Sequence, residues 1–595
     1  MLHVRASEHR AFPRLSPLPL LLLAAVAVCA GCEGSIGDER MLLGGDALGA
    51  GGANSPGRLG PAALPTIPPG ESTKAVDAQM QAANPTLFET AQTYFPDDNA
   101  LNPPTRLFRL TRTQLDITTK SLLPASYTTP ASDVMPRDPL QTNYEYAANL
   151  SFNPANFTPY TNWVGQLVAS VRAKPQSVID CAASNNAPTC LDDQARKFVA
   201  RAFRGIAPDP VLARYATFFT TSVQQVGLPD ATADLVDLTL TSPQYVFRDE
   251  VLPAGGLLTP AQQLQNISYT LADAPPDAIG LSLADPAGQL STPDLLARTI
   301  DQVLATPAAR DKLMRFFISW LEVKQADEFA LAPDVYPEFT PEVAAAAVEE
   351  TKAFLNRQLA GAAPKLKDVT QSTQTFVSEA LGTIYGLKKS TKGLVDLDPT
   401  QRLGIFTLPG VIASHSGPTT TRLVKRGVFF TRKVMCLPLG LPPPGVNTVL
   451  PEIADATERQ RVETATSTAR CQGCHAFINP FGFMQENFDA TGKWRTTDNG
   501  KPIDSTIHVE FLDEGPLDTK TPIDALRGLT GSLRFQQCFA RQLFRFYLGR
   551  DEIAGDDPIL RQMFFGFANQ GVQDIVAMLQ TLARSATFSQ RTVAP

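Results

Sequence analysis

The residues of this chain whose types and spacing most nearly dictate a chemistry are Cys471, Cys474 and His475, in the run Cys-Gln-Gly-Cys-His. Cys-x-x-Cys-His is the spacing that attaches c-type haem. Two thiols about one helical turn apart can add to the two vinyl groups of a porphyrin, and the adjoining imidazole then faces the iron as its proximal ligand. Two other chemistries fit the same residues. Zinc could take both thiolates and the imidazole but needs a fourth ligand, and the sequence has no second Cys-x-x-Cys or His-x-x-x-His to supply it. A redox disulfide between Cys471 and Cys474 would usually sit in a βαβ unit, which the surrounding pattern lacks.

The segment after the motif, Ala-Phe-Ile-Asn-Pro-Phe-Gly-Phe, is aromatic. Phe477, Phe481, Phe483, Phe488 and Trp494, with Ile478, could wall a haem and lower the dielectric around it. Phe481 and Trp494 are expected against the cofactor; the blander reading makes all of them ordinary core. A sixth iron ligand is harder to find. Beyond His475, the candidates in the folded part are His415, then Met484, with Met435 and His508 behind them. The expected metal ligands are therefore His475, His415 and Met484. Glu486, Asn487 and Asp489 read either as acid/base groups or as local caps, and Lys425-Arg426-Gly427 as a propionate contact or a solvated turn. No P-loop, dinucleotide fingerprint, nucleophile elbow or zinc-protease helix is present, and no catalytic residue can be assigned.

The elements that must position these residues belong to an exported chain of 595 residues with a net charge of −7. That balance gives no reason to expect a nucleic-acid partner. Arg5, Arg10 and Arg14 precede an apolar run from Leu18 to Val28, a basic and then hydrophobic leader too short to favour a stable span. Ala30 and Gly31 lead to Cys32, in the manner of a lipoprotein cleavage site, although Cys29 stands where Leu or Val is usual. The expectation is a signal peptide over 1–31, lipid on Cys32 and anchorage to the cell envelope through a membrane, with a redox protein as partner. Residues 32–95, rich in Gly, Ala and Pro, read as a flexible linker. In an oxidising compartment the remaining cysteines need a role. Cys181 and Cys190 flank one polar loop and form the natural local pair; Cys436 with Cys538 follows by elimination, with buried free thiols as the competing reading.

Helical signals dominate the rest. Thr111 with Gln114 makes a capping box, Thr259-Pro260 and Thr292-Pro293 open two more helices, and apolar residues recur at helical spacing around 191–203, 308–322, 341–360, 535–547, 557–564 and 572–582. Gly549 is placed to cap the helix before it. The fold class expected is mainly α, several small helical modules in tandem with few strands.

Several segments in order resemble one family: Leu107-Phe-Arg-Leu-Thr-Arg, Thr241-Ser-Pro-Gln-Tyr-Val-Phe-Arg, Leu258-Thr-Pro, Lys425-Arg-Gly-Val-Phe, Leu441-Pro-Pro-Pro-Gly-Val, the Cys471 motif with Asn479 to Asp489, Trp494-Arg, and Phe544-Arg-Phe-Tyr-Leu-Gly-Arg550. Together they resemble exported bacterial proteins built from domains of unknown function numbered 1587, 1595, 1592, 1588 and 1585. The resemblance implies modules over 100–172, 178–248, 255–390, 400–500 and 515–592, the fourth carrying the haem motif. It implies a cytochrome-like role and supplies no reaction. From the motif and export, the expectation is one covalent haem c serving either electron transfer or a haem-dependent oxidoreductase step of unknown substrate. The reading of a different class is a non-enzymatic envelope binding or scaffold protein, with Cys471 and Cys474 as a structural or redox disulfide.

Overall fold

A computed structural model describes residues 73–593, except 101, 142, 143, 146, 148, 149, 389 and 441–448. The leader, Cys32 and the Pro442–Pro444 connector lie outside the described residues.

The chain is mainly α, with twenty-five α-helices and only short, two-stranded pairings among the described residues. Local signals explain most of the helix starts. Thr111 and Gln114 close their capping box at the head of Arg112–Leu122, and Thr259 with Gln262 does the same for Pro260–Ala272. Thr292, Thr306 and Thr340 each cap a helix that begins with proline, whose missing N–H is one the first turn would leave unpaired anyway. Leu533–Leu548 ends at Gly549, which takes the left-handed conformation at φ 60° that its lack of a β-carbon permits.

The helices share cores across the expected module limits. One core gathers Leu110, Leu115, Trp163, Phe198, Phe219 and Tyr245, so the first two modules pack as one. The largest runs from Val76 through Trp320, Phe430, Phe481 and Phe539 to Phe588. A small third surrounds Val343 and Ile384. Distant strands also pair: Leu107–Arg109 with Phe247–Asp249, and Gly256–Leu257 with Gln590–Arg591. Buried Glu250 joins these edges, accepting from Arg106 at 2.9 Å and Arg591 at 2.8 Å. Burial alone would raise its carboxyl, but three guanidinium groups around it prevail and hold it down at about 2.

The linker expected to extend to residue 95 is corrected. Thr73–Ala83 and Pro85–Tyr94 are helices, the second capped by Asn84. Val76, Met80, Leu87, Phe88 and Ala91 are buried in the main core. Arg561, itself fully buried, holds this hairpin by bonding Asp77 and the carbonyls of Phe95 and Asp97. Composition suggested a tether because the apolar residues are spread thinly between Ala, Gln and Thr; their partners lie nearly 500 residues away.

Both cysteine pairings are present: Cys181 bonds Cys190, and Cys436 bonds Cys538. The second closes a loop with a sequence separation of 102 and ties the segment after Phe430–Val434 to Leu533–Leu548. Loops of that size restrict the denatured chain enough to add about 4–5 kcal/mol in the chain-entropy account.

Candidate haem-attachment site

The motif lies in the first turns of a helix, Ala469–Phe483. Cys471 is half-buried and Cys474 exposed, and both are free thiols. The intervening Gly473 faces open space: a β-carbon built there meets no atom within 4 Å. At 471, 474 and 475 the three side chains fall on one face of the helix.

His475 is oriented by its own helix. Its Nδ1 lies 2.8 Å from Oδ1 of Asn479, and Nδ2 of Asn479 donates in turn to Oγ1 of Thr466 at 3.0 Å. Because the Asn479 amide spends its N–H on Thr466, its oxygen is the end turned to His475. In the neutral ring that geometry puts the proton on Nδ1 and the lone pair on Nε2. This is the arrangement by which ligating histidines are held in one tautomer. Asn479 and Thr466 were not singled out from the sequence, although Asn479 sits four residues after His475, the spacing at which helical side chains meet.

The rest of the helix is clamped. It packs against Leu423–Phe429, and the contact depends on two glycines: a β-carbon at Gly427 would overlap the Ile478 carbonyl, and one at Gly482 would overlap that of Leu423. Arg426 is 1 % exposed and donates to the carbonyls of Gln485, Phe488 and Asp489 at 2.7–3.1 Å. Lys425 donates to Ser414 O at 3.0 Å. Arg426 and Gly427 are therefore not a solvated turn but a buried clamp on the end of the motif helix, with half-buried Lys425 tied to Ser414 beside them. Glu486, Asn487 and Asp489 are similarly structural. Asp489 accepts from Thr491 and Lys493 N–H groups in a turn, Asn487 donates to Arg495 O, and Glu486 accepts from Arg459 N–H. Burial pushes the Glu486 carboxyl up to about 7.

The expected aromatic wall divides. Phe477 and Phe481 both meet Phe511, at ring separations of 5.2 and 5.9 Å, and Phe481 continues to Phe430. Phe483 lies under Arg459. Trp494 pairs with Phe488 at 5.2 Å, beyond the C-terminal end of the helix. At about 1.5 Å of rise per residue, that end is about 18 Å from Cys471. Trp494 is thus not brought to the motif, and Phe481, fully buried, belongs to the core behind it.

Both expected sixth ligands are buried in the core. The His415 ring is 3 % exposed, stacks on Phe429 at 3.9 Å, and has its Nε2 2.9 Å from Leu321 O. Burial lowers it to about 3, so it is neutral; Nε2 donates to that carbonyl, and the lone pair left on Nδ1 is enclosed, 4.0 Å from Glu322. Met484 is fully buried where the helix ends, about 14 Å along the axis from His475. Met435 is also fully buried, and His508 is the exposed residue of the strand Ile507–Val509, between Asp518 and Glu510. Among the described residues, no three His, Cys, Asp or Glu side chains converge as a metal site. A tetrahedral ion needs such convergence. Haem c needs the thiols at the porphyrin edge and the imidazole at its centre, so the donor set suits it better than zinc.

Residues 402–498 match the family described as PSCyt3, protein of unknown function (DUF1588), and residues 258–387 match PSD4, protein of unknown function (DUF1592). These two domains are the fourth and third of the modules expected from the resemblance, and the third precedes the fourth in the chain, as expected. No curated protein and no solved structure matches the chain.

Proposed function

We propose that the chain is an exported, envelope-anchored c-type haem protein that passes electrons or takes part in a haem-dependent oxidoreductase step. The observation that carries this reading is the placement of His475. Its Nδ1 is held 2.8 Å from Oδ1 of Asn479, which leaves Nε2 as the nitrogen available to a metal, on one helix face with two free thiols. Cys471 and Cys474 would hold the haem by thioether bonds and His475 would ligate its iron. When bound, the haem supplies a one-electron carrier or an iron able to take a sixth ligand. The protein's own part is positional: Thr466 and Asn479 fix the imidazole, and Arg426 with the two glycine contacts fixes the helix. His415 and Met484, the residues expected to complete the iron's ligands, are both buried in the core. The scaffold reading gains no support from Cys471 and Cys474, which are not bonded to each other. Lipid on Cys32 would hold the chain at a membrane.

A haem-stained gel of protein matured in a periplasm tests the reading. A covalent band is expected, lost when Cys471→Ala and Cys474→Ala are combined. No band in cells that load a control cytochrome would overturn it.

A further inference from the structure

A second site lies away from the motif helix. A cavity of about 340 Å³ opens between Arg112–Leu122, Pro307–Trp320 and the end of Leu533–Leu548. That volume falls in the range of small-molecule sites, roughly 300–1,000 Å³. Its charge is opposite to that of the chain. Seven arginines or lysines line it against five aspartates or glutamates, whereas the whole chain carries −7.

The cations at its floor are fixed. Buried Asp273 accepts from Lys312 Nζ and from Arg315, each at 2.6 Å, and from Gln114 at 2.8 Å. Lys312 also donates to Tyr269 O at 3.1 Å. These bonds are charge-assisted and hold the ammonium and guanidinium in place without a ligand. Beside them, Tyr547 is 4 % exposed, lines the cavity, and has no hydrogen-bond partner for its hydroxyl among the described residues. Leaving a buried hydroxyl unpaired is destabilising. An acceptor arriving in the cavity would give it the partner that the described residues do not.

We infer that this cavity binds a small organic anion, whose carboxylate or phosphoryl group meets the fixed cations and whose hydroxyl or carbonyl oxygen accepts from Tyr547. The inference is independent of haem at Cys471.

The test is calorimetric titration of the full chain with D-glucuronate and with inorganic phosphate, with D-glucose as the neutral comparison. At least one anion should bind, and it identifies the anionic group preferred; glucose should not bind. Tyr547→Phe removes only the unpaired hydroxyl. It should fold with an unchanged or higher Tm and lose about 5–10-fold in affinity for the bound anion, the worth of one hydrogen bond. Lys324→Gln, at the cavity wall, should weaken the same anion about threefold and flatten its salt dependence. The inference is overturned if neither anion binds at up to about 10 mM, where a millimolar Kd would register. It is equally overturned if glucose matches glucuronate, or if Tyr547→Phe binds the anion as tightly as the parent.

Discussion

The two ends of the Ala469–Phe483 helix are built to opposite specifications. Its first turns carry exposed Cys474 and half-buried Cys471 and His475, with open space at Gly473. From Ile478 onward it is locked: glycine contacts at 427 and 482, a buried guanidinium across three carbonyls, and Met484 sealed in the core. The difference teaches where chemistry and stability are separated. The reactive groups can be changed with little effect on folding because the anchoring groups lie at the other end.

Breaking the locked end should have the largest effect. Gly427→Ala or Gly482→Ala sets a methyl against backbone that cannot rotate away, and is expected to cost about 3 kcal/mol or more, the upper range of overpacking. Urea unfolding would show it as a lower midpoint at constant slope. Arg426→Met leaves three carbonyls without a donor and should cost about 3 kcal/mol by the same measurement.

A carboxyl at this end sharpens the comparison through pH. The folded-state value of Glu486 is raised to about 7, so the folded chain binds a proton more readily than the unfolded chain, whose glutamates titrate near 4.3. Its contribution to stability is therefore lost as pH rises from about 4.5 through 7. Glu486→Gln should remove about 1–2 kcal/mol of that decline, seen as a smaller fall in Tm between pH 5 and pH 8.

At the open end, folding should barely respond. Cys471→Ala with Cys474→Ala should change apoprotein stability by no more than about 0.5 kcal/mol. Asn479→Ala should cost about 1 kcal/mol, keep the covalent haem, and shift its reduction potential and ferric spectrum, because the imidazole loses the partner that sets its tautomer. A variant with unchanged potential and spectrum would remove Asn479 from this role.

Much of this division was legible from local sequence. Capping residues such as Thr111, Thr259 and Thr292 act within one turn, so their helices could be read directly. Cys181 and Cys190 were close enough in sequence to pair on sight. The roles of Arg426 and His415 were not legible, because each depends on carbonyls far off in the chain: Gln485 and Phe488 for one, Leu321 for the other. The hairpin over 73–95 was hidden for the same reason, its anchor being Arg561. For the motif, type and spacing revealed the thiols and His475. The open space at Gly473, and the burial of His415 and Met484, emerged only from how the helices cross.

The central claim is that the open end carries haem on a platform fixed at the other end. Intact-mass measurement of the chain matured in a periplasm tests it most directly. The wild-type chain should gain the mass of one haem, and the Cys471→Ala, Cys474→Ala chain should fold and gain none. A wild-type chain recovered at apoprotein mass, from cells that load a control cytochrome, would contradict the account.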